Sequence, residues 1–147
     1  MSTTFDVTTV TNAIESLSIS GVSVKDVDTI TQSLGLGFAV LMPRPDDFIT
    51  DVSIEPAELS KQNLDVRYTL HYQYYHCAVG NNLFGDFQPL IAKIALIIKA
   101  FCNDATLSGS IDGGMPTIDR VGPVQDAAGN QYHGAEFSLP ILQFLEV

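Results

Sequence analysis

The chain is poor in cysteine, with only Cys77 and Cys102 among its 147 residues. They form no Cys-x-x-Cys pair, and no His-x-x-x-His spacing supplies further ligands, so a tetrahedral metal centre is excluded. In a reducing compartment such thiols act as small buried hydrophobes, and that, not a disulfide, is the expectation here. Basic side chains are scarce too: 7 Lys and Arg stand against 17 Asp and Glu, a formal charge of −10. Lys25, Arg44, Lys61, Arg67, Lys93, Lys99 and Arg120 are scattered singly, without the clustered cations that neutralise phosphates, which excludes specific nucleic-acid binding. The acidic excess has two readings: a solvated surface that aids solubility, or the lining of a channel past which DNA slides without sticking.

Long apolar runs are missing as well. The longest window, residues 91–100, is interrupted by Lys93 and Lys99 and is too short to cross a bilayer. The start, Met-Ser-Thr-Thr-Phe-Asp, has neither the basic residues nor the apolar run of a secretion signal, so a soluble product of the cytoplasm is expected. No Gly-x-Ser-x-Gly elbow, phosphate-binding loop, dinucleotide fingerprint or His-Glu-x-x-His occurs, and Gly35-x-Gly37 is too short to cradle a phosphate. Asp26, Asp28, Asp46, Asp47 and Asp51 lack the spacing and the closing bidentate Glu of a calcium loop. His71, His76 and His133 all fall on strand-like segments, and His71 would meet Cys77 or Ser138 only by accident of packing. The expectation is a protein that is not an enzyme and takes no cofactor and no metal.

What the chain does have is pattern. With 46% hydrophobic residues it is long enough to bury a core as one domain spanning 1–147. Residues 83–103 read as a core helix: Leu83, Phe84, Phe87, Leu90, Ile91, Ile94, Ile97, Ile98 and Phe101 recur at steps of three and four. Ile94 and Ile98 are expected to pack on Val66, Tyr68 and Leu70. A shorter helix is read over 5–17, with Val7, Val10, Ile14 and Leu17 at helical spacing and Gly21 beyond its end. Residues 21–37 carry weak signals and read mostly as loop. A short strand at 38–42, halted by Pro43 and Pro45, is taken to pair with 48–54, and 55–63 reads as a polar connection.

The clearest strand runs over 64–79. Leu64, Val66, Tyr68, Leu70, Tyr72 and Tyr74 alternate with Asp65, Arg67, Thr69, His71 and Gln73 until Tyr75, Cys77 and Val79 make the second face apolar too. Sixteen extended residues would reach ~50 Å, longer than a compact domain of this size, so the strand either bends at a bulge or projects under a neighbouring subunit. The last strand behaves alike: His133, Ala135, Phe137, Leu139 and Ile141 share a face, but Leu142, Phe144 and Leu145 make its end apolar on both sides. Pro140 places it at an edge or at a bulge. The doubly apolar ends mark Tyr74, Tyr75, Val79, Leu142, Phe144 and Leu145 as candidate subunit contacts. Between helix and last strand, 110–116 reads as flexible, 117–125 as a strand and Ala128-Gly129-Asn130 as a turn.

The order of these pieces, with Asp104-Ala-Thr-Leu-Ser-Gly109 after the helix and Tyr132-His-Gly-Ala-Glu-Phe137 opening the last strand, resembles the tail terminators and related neck proteins of long-tailed bacteriophages. The resemblance covers nearly the whole chain in order; the poorly patterned 21–37 and Pro140 depart from it. It implies an α+β fold with a mainly antiparallel, curved sheet and two helices on one face. It also implies a homo-oligomeric ring, commonly a hexamer, at the head-proximal end of the tail tube. The ring would stop tube growth and dock the head, with tail tube protein and head-completion protein as partners. The expected location is the virion tail or neck, assembled in the host cytoplasm. In such a ring Asp46, Asp47, Asp51, Asp119 and Asp126 are the candidates for lining the channel. Alternative roles are head closure or the tube itself, or a small cytoplasmic enzyme or ligand-binding module.

Overall fold

The computed structural model describes residues 7–25, 39–44, 47–57, 60–78, 83–107, 109, 111–126 and 128–146. In chain order the elements are α1 (Val7–Glu15), β1 (Ser23–Val24), β2 (Val40–Pro43), β3 (Ile49–Ala57), β4 (Ser60–Ala78), α2 (Leu83–Asn103), β5 (Gly113–Gly114), β6 (Thr117–Gln125) and β7 (Gln131–Glu146). The architecture is α+β, with a strongly curled sheet in which every pairing is antiparallel except β1 with β2. No helix among the described residues is long and apolar enough to cross a membrane.

A long antiparallel ribbon of β4 and β7 forms the spine, in register from Asn63↔Glu146 to Ala78↔Tyr132. Each side of the spine carries two short strands end to end. β3 pairs the first part of β4 and β2 the later part, while β6 pairs the first part of β7 and β5 the later part. Strands 38–42 and 48–54 therefore do not pair with each other as expected, because both need β4. The supposed polar connection over 55–63 is largely strand, since β3 runs on through Pro56 and β4 begins at Ser60.

Pro140 explains the break on the β7 side. Its neighbours of like parity direct backbone groups away from β4: the Leu142 carbonyl accepts from Asp112 N–H and the Phe144 N–H donates to Asp112 Oδ2. The missing N–H of Pro140 thus faces the gap between β5 and β6, where no ladder bond is lost. Pro140 needs neither an outer edge nor a bulge of its own.

One face of the spine is the core. The even residues Val66, Tyr68, Leu70, Tyr72 and Tyr74 and their partners Ala135, Phe137, Leu139 and Ile141 pack with Val10 and Ile14 of α1 and Leu90, Ile94, Ile97 and Phe101 of α2 in a single buried cluster. Burial of such side chains contributes roughly 1.5–3 kcal/mol each, which makes this face the main source of stability. After α2 the chain folds back sharply, with Leu107 at φ 48, and drops Leu107 and Ile111 into the same core. Gly113 and Gly114 then pair with Leu142 and Ile141, so the segment expected to be flexible is fastened by the buried Ile111 and by β5.

The opposite face is polar along most of its length, but Val40, Met42, Tyr75, Val124 and Tyr132 form a second small buried cluster at one end. This cluster accounts for the lost alternation after Gln73. A register shift between Tyr75 and Cys77 supplies the bulge, and the cover comes from β2 and β6 of the same chain, not from a neighbour. Gly134 sits beside that bulge. A Cβ there would intrude on the Tyr74 carbonyl oxygen and lie 2.9 Å from Val124 Cγ2, so only glycine lets the two spine strands approach this closely.

Candidate interaction surfaces

On the outer face the polar residues engage one another. Glu136 lies 3.8 Å from Arg44 Nη1 and 3.6 Å from Arg120 Nη2, and accepts a hydrogen bond from Gln73 Nε2 at 3.4 Å. The Tyr75 hydroxyl is shared between Gln73 Oε1 at 2.5 Å and the Gln125 carbonyl at 3.1 Å. Arg44 is also 2.7 Å from Asp47. Arg44, Gln73, Arg120, Gln125 and Glu136 line a cleft of about 270 Å³, and its charged groups Arg44, Glu136 and Arg120 already hold one another.

Next to it, His71 and Ser138 are direct cross-strand partners, with Ser138 Oγ 3.3 Å from Nδ1 and Thr50 Oγ1 2.6 Å from Nε2. Ser138 donates to Asp119. A hydrolytic triad needs the carboxylate on the imidazole and the hydroxyl free to lose its proton to the imidazole. Here the carboxylate holds the serine and the histidine bridges two hydroxyls. The chain of contacts runs from β6 through β7 and β4 to β3 and clamps four strands together. Among the described residues no three His, Cys, Asp or Glu side chains come together as a metal site.

The surface that stands out is apolar. α2 is apolar over a wider arc than the spine can cover: Leu90, Ile94, Ile97 and Phe101 are buried, but Phe87 is 50% and Ile91 38% exposed. Of the two positions expected on the spine, Ile94 is buried in the core, and Ile98 packs against that core while staying only half-buried. The uncovered flank faces β6, where Ile118 and Val121 are 48% and 38% exposed, and the two elements enclose an apolar groove of about 550 Å³. Cys102 lines it as an exposed free thiol, not as the buried hydrophobe expected of it. Lys99 stands in the same groove.

A second apolar strip lies across the sheet on β3, where Ile49, Val52 and Ile54 are 39%, 57% and 57% exposed. Register places Ile49 opposite Leu70 and Ile54 opposite Val66, so both project to the helix side. Among the described residues β3 pairs only with β4 and β6 only with β7, which leaves each with an open edge. An apolar open edge is a template for association.

The residues singled out from sequence distribute differently. Tyr74, Tyr75 and Leu145 are buried within the chain and have no surface to offer a partner; Tyr74 and Leu145 belong to the main core and Tyr75 to the second cluster. Leu142 and Phe144 are half-buried on the outer face, opposite Arg67 and Asp65. Val79 and Asp46 lie outside the described residues. Of the acids, Asp47 is tied to Arg44, Asp51 is exposed at a left-handed φ of 56 beside Thr50, and Asp119 is exposed on β6.

Asp126 is not on the open surface. It is buried and accepts from Ala128 N–H (3.0 Å), Asn130 N–H (2.9 Å) and the Tyr132 hydroxyl (3.1 Å), closing the β6–β7 turn with Gly129 at φ 88. Burial pushes the Tyr132 phenol above its ordinary value, and the hydrogen bond to Asp126 and its charge raise it further. Sequence reasoning missed Phe87, Ile91, Ile118, Val121 and Ile54 as surface. The available signal was the width of the α2 stripe, nine apolar positions where one face of a sheet covers about half.

The chain matches no protein-family model and no curated protein.

Proposed function

We propose that the protein is a structural subunit that assembles head to tail into a ring, in the manner of the phage tail terminators it resembles, and caps a tail tube. The observation that carries this reading is the pair of exposed apolar strips at two unlike open edges of the sheet, β3 on one side and β6 with α2 on the other. Unlike faces on opposite sides of a subunit join heterologously, and a heterologous contact closes into a ring when the rotation allows.

The polar outer face supports the same reading. It carries Asp51, Asp65 and Asp119 beside paired Arg44, Glu136 and Arg120, a surface over which a duplex passes without being held. Leu142 and Phe144 on that face remain candidates for contact with the tube end or the head-completion protein. Capping then follows from shape: one side of the ring complements the last tube ring, and the other does not accept another tube subunit.

The test is to add the purified protein to polymerising tail tube protein and measure tube lengths by electron microscopy. Rings of the protein alone and shortened, ring-tipped tubes are expected. Polymerisation of the protein by itself into tubes would assign it to the tube, and a strictly monomeric protein that leaves tube length unchanged would overturn the reading.

A further inference from the structure

We infer that the β3 strip of one copy seats in the α2–β6 groove of the next, so that the ring contact joins these two edges specifically; this rests on the ring reading above. Three features of the two edges match. First, their apolar side chains project to the same side of the sheet. Ile49 and Ile54 share the helix side with Leu70 and Val66, and Ile118 and Val121 share it with Phe137 and Ala135. A sheet continued from β6 into a second copy's β3 therefore places Ile54 against the exposed flank of α2 at Ile91 and Ile98, burying both strips at once.

Second, the charges are complementary. β3 has Asp51 and Glu55 and no basic residue, whereas Lys99 lines the groove and β6 carries Arg120 on its outer side, next to Asp119. The register also sorts them by face. Glu55 pairs with Asp65 on the outer side, the side on which Arg120 reaches Glu136. Like edges meeting, β3 with β3, would bring these acids together instead.

Third, the usable length is limited on the β6 side. The Pro123 carbonyl accepts from Arg120 Nη2, so this residue's backbone is turned to the open edge with no N–H to give. Edge pairing is thereby confined to the stretch that holds Ile118 and Val121, which fixes where β3 seats.

The contact is tested by complementation. Ile54→Asp spoils the strip and leaves the groove; Val121→Asp spoils the groove and leaves the strip. Both positions are exposed, so each variant is expected to keep the thermal midpoint of dilute, dissociated wild type, and Ile54→Ser with Val121→Ser serves where a charge disturbs folding. In light scattering the wild type is expected as a ring and each variant alone as a monomer. An equimolar mixture, with one intact pair of edges between the two chains, is expected to form dimers and nothing larger. Assembly of Ile54→Asp alone to the wild-type size, or a mixture that stays monomeric while the wild type forms rings, would overturn this contact and leave the ring reading standing. A monomeric wild type would remove both.

Discussion

The two flanks of α2 differ in what they meet, although both are made of the same residue types. Leu90, Ile94, Ile97 and Phe101 close on the β4–β7 spine and are almost fully buried, while Phe87 and Ile91, three residues before Leu90 and Ile94, stand exposed, Ile91 in the groove beside β6. A helix that served only its own fold would carry polar residues on that second flank. The difference separates stability from the proposed association: the first flank holds the subunit together, and the second is the one the ring reading assigns to a neighbour.

The sharpest way to break the comparison is to damage the floor beneath the buried flank. Gly134→Ala forces a Cβ into the Tyr74 carbonyl and against Val124, and a clash with backbone cannot be relieved by a rotamer change. A loss at or beyond the upper end of the ~1–3 kcal/mol seen for overpacking is expected in chemical denaturation. An unchanged midpoint would show that the spine strands do not approach as closely as described.

Next comes the direct contrast within the helix. Ile97→Ala, at a fully buried position, should cost ~2–5 kcal/mol, whereas Ile91→Ala on the open flank should stay within about 0.5 kcal/mol in the monomer. Assembly should respond the other way round, with Ile91→Ala weakening oligomers that remain folded. Equal thermal losses from the two changes would erase the distinction between the flanks.

The second buried cluster, on the opposite face, gives a smaller, pH-dependent effect. Because the folded-state pKa of Tyr132 is raised, the native state binds this proton more tightly than the unfolded chain does. The contribution is therefore present below the ordinary value of 10.0 and is lost as pH rises above it. Tyr132→Phe should lose about 1 kcal/mol at neutral pH with the hydrogen bond to Asp126, and should show a shallower decline of the thermal midpoint above pH ~10 than the wild type. Least of all, Lys93→Met should cost about 0.5 kcal/mol, since the ammonium reaches the Ser20 carbonyl at 2.8 Å in a solvated setting and only ties α2 to the turn after α1.

Much of the fold could be read from the sequence because its strongest signals are local periods. The 3.6-residue period of α2 gave both its ends, and the two-residue period of β4 gave its inner face down to Val66, Tyr68 and Leu70. The α+β class, which the resemblance implied, is the class observed. Pairing was less legible: that β2 and β3 share β4 end to end depends on long-range register, which no local pattern encodes. The doubly apolar end of β4 was misread at Tyr75 for a related reason. An apolar second face tells that something covers it, and the sequence does not tell whether the cover is Val40, Met42 and Val124 of the same chain or a second copy. The apolar flank of α2 was hidden by its own strength, since a stripe that marks a core helix leaves no residue to announce that half of it is uncovered.

Backbone hydrogen exchange, compared between dilute and concentrated protein, tests the separation of the two flanks most directly. Amides along the open edges of β3 and β6 and the segment of α2 around Ile91 should gain protection on concentration, while the spine around Tyr68, Leu70 and Leu139 stays equally protected in both. Protection that rises nowhere, or rises only at the ends of β4 and β7 around Tyr74 and Leu145, would contradict the account.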